Sequence, residues 1–416
     1  MTNTNDTQVI DLDVLDFTFG GAAFGRMEDG KPVFVPFAIP GEKVRVRLPI
    51  ERKDYNIGEL VEVLVPSPRR VEPRCRHFGV CGGCHYQHIS YEHQLEIKQK
   101  IVIDQMQRIG KMQDPPVRLI VPSPAEWNYR NTMQFHISRG GRPGFRDTKG
   151  TDVVEVQECH LPLPELGELW PNLDIDPASG IDRVLLRVGS DGELLAGLEG
   201  NPGKPPELVI DFPLSLHYLG SQQDYLMAGD AFSTMTVNDV NFAVSPRSFF
   251  QVNLPQAEAM VNYVLANCEV SKTSTVLDLY CGVGLFSAFL APRVKELAGV
   301  ELSESACTDF ALNLDAFDNV SLFIGKVENI VSSLEIKPDL VLVDPPRAGL
   351  DKRVVAYLNE SSARQIIYVS CDPSTLARDC SRLVDGGYKV ESIQPFDLFP
   401  QTYHVETMVL MSRTND

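Results

Sequence analysis

No apolar run in this 416-residue sequence approaches the roughly 20 residues of a membrane span. Its first ten residues, MTNTNDTQVI, lack the basic-then-apolar order of a signal peptide. A cytoplasmic protein with no membrane partner is therefore expected. A disulfide framework is equally unsupported, because the nine cysteines are odd in number and follow no secreted-scaffold spacing. Metal binding or catalysis is the better use for them. Positive charge is scarce, with 38 Lys and Arg against 56 Asp and Glu for a net charge of −18. That balance counts against a chain whose whole surface grips nucleic acid. No internal repeat is detectable. What remains is an ordinary globular composition, 43% hydrophobic and 23% charged, long enough for about two to four domains.

The deficit of positive charge is local. Residues 151–246 carry 16 acidic and three basic side chains, which accounts for −13 of the −18. Residues 127–150 instead hold five Lys or Arg, one acid, and Trp127, Tyr129, Phe135 and Phe145. A basic, aromatic-bearing stretch can bind RNA on a chain that is acidic as a whole. A solvated face is the plainer reading.

Residues 8–65 alternate in short β-type runs (VIDLDVLDF, KPVFVPFA, EKVRVRLPI, IGELVEVLV) punctuated by Gly20-Gly21, Asp29-Gly30 and Pro40-Gly41. The pattern predicts a small antiparallel barrel. Lys43, Arg45, Arg47, Arg52 and Lys53 place positive charge on one strand and loop of it. Small barrels of this kind bind nucleic acids, proteins or nothing. A Pro-punctuated linker, PSPRRVEPRC, then leads into CRHFGVCGGCHYQH. Cys75, Cys81 and Cys84 give C-x5-C-x2-C, with Cys159 downstream as a candidate fourth ligand. Three thiols in ten residues around a Gly-Gly suit one tetrahedral centre. Spacing alone ranks structural zinc first, with His77, His85 and His88 as competing ligands, and a cubane iron–sulfur cluster second. Residues 89–110 show helical periodicity ending on Gly110. Residues 117–250 mix strands and turns and read as an α/β substrate-side domain.

From residue 275 the pattern alternates strand and helix. VLDLYCGVGLFSAFLA holds a strand, a tight turn at Gly282 and Gly284, and a helix, and Glu301 closes the next strand nineteen residues after Gly282. An acid at that distance suits a ribose diol in a doubly wound sheet. Ser287 replaces the third glycine of the dinucleotide fingerprint, so S-adenosylmethionine fits better than a pyrophosphate-bearing cofactor. DLVLVDPPRAGL supplies a strand ending at Asp344. IIYVSCDPSTLARD (366–379) supplies another, followed by a helix with Asp372 as N-cap and Pro373 at its first position. Cys371 falls where strand meets helix, close to unpaired N–H groups and the positive end of the helix dipole, a place that favours thiolate. A small core cysteine is the plainer reading of one isolated Cys. GYKVESIQPFD and YHVETMVLM close the chain as a strand pair.

Together these motifs resemble the RNA uracil-5-methyltransferase family, which makes 5-methyluridine in ribosomal and transfer RNA. The likeness runs nearly end to end: the barrel is similar to a TRAM domain, and Cys75, Cys81, Cys84 and Cys159 to the family's [4Fe-4S] site. SFFQVN, DLYCGVG, DPPRAGL, SCDPSTLARD and HVET are similar to its methyltransferase motifs. The resemblance implies an α/β chain in three parts. These are a TRAM-like, OB-like antiparallel β-barrel that binds RNA at 1–68, a central α/β domain with the four-cysteine iron–sulfur site at 69–250, whose helix 89–110 packs on the catalytic domain, and a doubly wound, Rossmann-like methyltransferase domain at 251–416. It implies S-adenosyl-L-methionine as cofactor, with Gln251 and Tyr280 contacting it, Glu301 on its ribose, and Asp344 between cofactor and uracil. Cys371 would be the nucleophile and Glu406 the base. The four-cysteine signature points to 23S rRNA, with uridine 54 of tRNA as the alternative, and a monomer is expected. Two residues depart from the family pattern: Leu285, where some ribosomal enzymes carry a cofactor-contacting Asn, and Lys326, where a polar or acidic adenine contact is expected.

Two other readings remain open. An adenine or guanine amino-methyltransferase could use Asp344-Pro345-Pro346, but Arg347 stands where an aromatic residue normally follows, and such chemistry needs no cysteine. A cluster-bearing RNA-binding or redox-sensing protein could carry a vestigial methyltransferase domain. The intact set Gln251, Glu301, Asp344, Cys371 and Glu406 speaks against decay.

Overall fold

The computed structural model describes residues 8–201, 205 and 212–414. The polar start at 1–7, expected to be disordered, lies outside them. The chain divides into two compact units. One comprises Met1–Ile101, Phe145–Val154 and Phe399–His404, and the other comprises Val102–Gly144, Glu155–Leu398 and Val405–Asp416.

In the first unit, β1 (Val9–Phe17), β2 (Ala23–Arg26), β3 (Pro32–Val35), β4 (Lys43–Glu51) and β5 (Asn56–Val65) close into a barrel in the order β1-β2-β3-β5-β4. The pairing is antiparallel except between β3 and β5, which run parallel. Alternation decides what faces in: Val44, Val46 and Leu48 point to the core while Lys43, Arg45 and Arg47 point away. Gly58 lets the walls close, since a Cβ there would meet Val46 Cγ1 at 2.3 Å. The positive strand expected on the barrel is largely neutralised. Arg45 pairs with Asp11 at 2.9 Å and Glu62 at 3.2 Å, and Arg47 with Glu59 at 3.3 Å. Cross-strand register brings these carboxylates opposite the arginines, leaving Arg52 and Lys53 exposed at the β4–β5 tip. Helix α1 (Tyr91–Arg108) adds Ile97 and Ile101 to the barrel core. Segment 399–404 is held firmly. Gln401, a non-glycine residue at φ 68°, accepts the His85 and Tyr86 N–H groups on its carbonyl and exchanges two hydrogen bonds with buried Gln94.

A seven-stranded sheet follows, formed by β6 (Thr132–Ile137), β7 (Pro143–Arg146), β8 (Val153–Glu155), β9 (Ile181–Val188), β10 (Leu194–Gly200), β11 (Ser215–Gly220) and β12 (Asp224–Ala228). Short helix α2 (Pro164–Leu169) follows β8. The sheet changes the reading of residues 127–150. Alternation in β6 turns Met133 and Phe135 inward, Phe135 stacks 5.6 Å from buried Trp170, and Tyr129 is also buried. Two of the four aromatics proposed for RNA are therefore core.

After the hairpin β13 (Ser233–Val237) and β14 (Val240–Val244) and helix α3 (Leu254–Asn267), the C-terminal sheet begins. It contains β15 (Thr275–Leu279), β16 (Glu296–Glu301), β17 (Val320–Ile324), β18 (Leu340–Val343), β19 (Gln365–Ser370), β20 (Tyr388–Phe396) and β21 (Glu406–Arg413), ordered β17-β16-β15-β18-β19-β21-β20. Helices α4 (Leu285–Leu290), α5 (Glu304–Asn313), α6 (Val327–Ile330), α7 (Lys352–Glu360) and α8 (Pro373–Asp385) connect the strands. β15 to β19 are parallel, and β21 inserts antiparallel between β19 and β20. Val341, Leu342, Ile366 and Ile367 are wholly buried, as expected where helices cover both faces of a parallel sheet. Each such side chain contributes roughly 1.5–3 kcal/mol. Val102 and Met106, from the second half of α1, lie in this core. Strand order reverses between β15 and β18, so a crevice opens at their carboxyl ends. Among the described residues no helix is long and apolar enough to cross a membrane.

Candidate active site

The turn after β15 is built from unusual backbone. Tyr280, Gly282 and Gly284 take φ of 64°, 55° and 91°, a region that costs a non-glycine residue energy. Gly284 has no alternative, since a Cβ would lie 2.4 Å from Leu314 Cδ1. Gly282 faces open space and donates its N–H to Glu301 Oε2 at 3.0 Å. Glu301 Oε1 accepts the Leu302 and Ser303 N–H groups, both at 2.7 Å. Three backbone donors therefore fix this carboxylate at the end of β16 and leave one lone-pair direction for a ligand. Beneath the turn, buried Asp278 accepts Ser287 Oγ at 2.6 Å, and its Oδ1 has no hydrogen-bond partner. Burial, with the nearby Glu301 charge, pushes the Asp278 carboxyl up to about 7. An orphaned acceptor, an open glycine and an anchored acid at one strand end fit a polar, positively charged cofactor such as S-adenosylmethionine. Leu285 is buried at the start of α4, where an Asn contact was expected in relatives. Lys326 is exposed before α6.

Gln251 sits on the loop between β14 and α3. Arg187, a buried arginine, clamps that loop by donating to the carbonyls of Val244, Ser245 and Ser248, each at 3.0 Å. Asp309 of α5 accepts Ser245 N at 2.8 Å and Oγ at 2.6 Å. Asn131 Nδ2 donates to the Gln251 carbonyl at 3.1 Å. Burial lowers Arg187 to about 10, against the pull of Asp309.

The second half of the site gathers Asp344, Arg347, Cys371 and Glu406. β18 and β19 are parallel neighbours and β21 pairs with β19, so Asp344, Cys371 and Glu406 emerge at one edge of the sheet. Burial first, then the Glu406 and Asp344 charges, push the Cys371 thiol up to about 11, while Arg347 opposes them by charge and a side-chain hydrogen bond. This corrects the expectation of a helix-stabilised thiolate. The first N–H groups of α8 are taken by Asp372, whose Oδ1 accepts Ser374 N at 3.0 Å and Thr375 N at 2.9 Å. The dipole is capped before it reaches the sulfur. Glu406 is buried at the start of β21, and its carboxyl is raised well above the ordinary range by burial and Asp344, again against Arg347. Asp344 is raised to about 7 by burial, Asp278 and Glu301. Sequence reading missed Arg347, noting only that it is not aromatic. Its place three residues after Asp344 was the available signal. The cavity of about 730 Å³ lined by Arg183, Glu199, His217 and Arg247 includes none of these groups.

The cysteine loop belongs to the first unit and Cys159 to the second. Cys75 Sγ accepts His77 N and Cys81 Sγ accepts Gly83 N, both at 3.4 Å. His88 packs its ring on Phe37 and Phe78, and His85 lies 4.5 Å from Tyr403. Among the described residues no three His, Cys, Asp or Glu side chains converge as a metal site.

Comparison with known proteins agrees with this geometry. A family model described as tRNA (uracil-5-)-methyltransferase matches residues 221–414, and a TRAM domain model matches residues 4–65. The chain is 31% identical to an uncharacterized RNA methyltransferase of Halalkalibacterium halodurans, covering 99% of this chain and 98% of that protein. It is 33% identical to another from Nostoc sp., covering 97% and 96%. Among solved structures it resembles the Pyrococcus abyssi tRNA (uracil-54, C5)-methyltransferase in complex with S-adenosyl-L-homocysteine. The TM-score is 0.72 at 28% identity, over 96% of this chain and 99% of that one.

Proposed function

Because the chain belongs to the RNA uracil-5-methyltransferase family and is an S-adenosylmethionine-dependent RNA (uracil-C5)-methyltransferase, we propose that it methylates uridine C5 through a covalent Cys371–uracil C6 adduct. Its RNA is 23S rRNA, and it acts in the cytoplasm as a monomer that completes its own site. The grouping of Cys371, Glu406, Asp344 and Arg347 at adjacent strand ends carries this reading.

Uracil C5 is too weak a nucleophile to take a methyl group unaided. Addition of the Cys371 thiolate to C6 turns the ring into an enolate with a nucleophilic C5. Gln251, Tyr280 and Glu301 would hold S-adenosylmethionine, which would supply the electrophilic methyl group for C5. Asp344 orients the uracil N3–H when ionised, and Arg347, beside the thiol, favours the thiolate. Glu406 serves two steps. While protonated it withdraws the charge that holds the thiol up. Once ionised, its raised proton affinity makes it a stronger base than a free carboxylate for removing the C5 proton. Loss of that proton expels the thiolate and restores the ring. The target base must leave its stack to reach these groups.

The cluster belongs to this proposal through Cys75, Cys81, Cys84 and Cys159. The N–H donors on two of the sulfurs suit cluster thiolates, and its role is structural because no step needs an electron. Protein purified without oxygen then carries about four irons with sulfide per chain, whereas one zinc points to the alternative ligand.

The deciding experiment incubates the protein and Cys371→Ala with labelled S-adenosylmethionine and total RNA lacking 5-methyluridine, then maps the label by nucleoside mass spectrometry. Label as 5-methyluridine in 23S RNA, absent with the variant, supports the reading. Label in tRNA keeps the mechanism and replaces the substrate, the case favoured by the Pyrococcus structure. Activity without Cys371 sinks the adduct.

A further inference from the structure

The loop 345–350 carries Arg347 to Cys371, yet its first two residues, Pro345 and Pro346, have no N–H with which to be tied down. Helix α8, which starts two residues after the nucleophile, holds it instead. Thr375 Oγ1 donates to the Arg347 carbonyl at 3.1 Å, Arg378 Nη2 donates to the Ala348 carbonyl at 2.9 Å, and Asp379 Oδ2 accepts Leu350 N at 2.8 Å. These residues stand at i, i+3 and i+4, on one helix face. Asp379 is fully buried and its rotamer is set by Tyr368 Oη at 3.0 Å, Arg378 Nε at 2.9 Å and Arg382 Nη1 at 3.1 Å. The fit leaves no slack. Gly349, at φ 74°, passes so close that a Cβ would lie 2.4 Å from Asp379 Oδ2 and 2.5 Å from Arg378 Nη2.

We propose that Thr375, Arg378 and Asp379 are positioning residues, a clamp that sets how closely Arg347 approaches the Cys371 thiol. None of the three touches a reacting atom. The inference rests on Cys371 being the nucleophile. The clamp couples two motifs, DPPRAGL and SCDPSTLARD, so that the cation and the sulfur it serves are carried by one rigid piece.

The test is iodoacetamide labelling of Cys371 in the full chain, followed by peptide mass spectrometry, with partly exposed Cys268 as the internal control. Thr375→Val and Arg378→Met should slow Cys371 labelling about threefold, the rise in thiol basicity recovering part of the lost thiolate fraction. Cys268 labelling should not change, and Thr375→Ser, which keeps the hydroxyl, should match the parent. The kcat for RNA methylation should fall about tenfold with KM for S-adenosylmethionine unchanged. Faster labelling of Cys371 in the variants would mean that the helix only restrains access, and would overturn the clamp. Unchanged labelling, or equal loss in Thr375→Ser and Thr375→Val, would overturn it too. Retained methylation by Cys371→Ala would remove the nucleophile reading, a failure separable from the labelling rates.

Discussion

On the barrel, Arg45 faces Asp11 and Glu62, and Arg47 faces Glu59, with every partner more than two-fifths exposed. At the carboxyl ends of β15 and β18 and the amino end of β21, Asp278, Asp344 and Glu406 are withdrawn from solvent beside one another, and each is pushed up by burial. The same residue types thus serve opposite ends. Exposed pairs are screened and contribute little either way. Carboxyls crowded in a low-dielectric crevice hold protons they would otherwise release, which is costly to the fold and useful to proton transfer. Net charge, dominated by the acidic stretch at 151–246, reports neither.

The contrast can be broken most sharply at Glu406. Glu406→Gln keeps the shape and removes the base, so kcat should fall on the order of a thousandfold. A protein–RNA adduct resistant to denaturing electrophoresis should accumulate. Loss of activity with no adduct would place Glu406 before the addition step instead. At Glu301, replacement by Gln should raise Kd for S-adenosylmethionine on the order of tenfold, since a hydrogen bond to a charged group is weakened. Titration calorimetry on the protein alone checks it.

Asp278 supplies a pH test of the crevice. Its folded carboxyl titrates near 7 against 3.8 ordinarily, so the folded state binds the proton more tightly than the unfolded chain does. The stability this proton confers is complete below about 4 and is lost as pH rises through about 7. Asp278→Asn does not titrate, so thermal melts should show wild type losing ground to the variant between pH 4 and 8. A constant gap would refute the assignment. The smallest effect belongs to the barrel. Asp11→Asn should leave Tm unchanged within error, and adding Glu62→Gln, which frees Arg45 of both acids, should steepen the salt dependence of RNA binding by about one counterion. No change in slope would show that this face does not meet RNA.

Legibility followed locality. The Asp372–Pro373 helix start, the Gly282–Gly284 turn and the alternation of β4 were readable because each depends on neighbours within a few residues. The strand–helix alternation followed from the motif series, and the family resemblance supplied the roles. What could not be read depends on partners far away in sequence. Phe135 was proposed for RNA and proved to pack on Trp170. The barrel arginines looked free until β1 and β5 placed acids across from them. Arg347 had no visible role until the sheet order brought it beside Cys371.

By itself the sequence determined the closed barrel, the doubly wound sheet, the family and the identity of the groups at the strand ends, because periodicity, turn chemistry and motif spacing are local properties. Only the tertiary structure decided their ionisation. Cys371 sits beside a helix N-terminus in either view, but Asp372 occupies the N–H groups, and two carboxylates crowd the sulfur. Proton affinity depends on burial and on charges brought from residues 344, 347 and 406, and only the fold sets those distances.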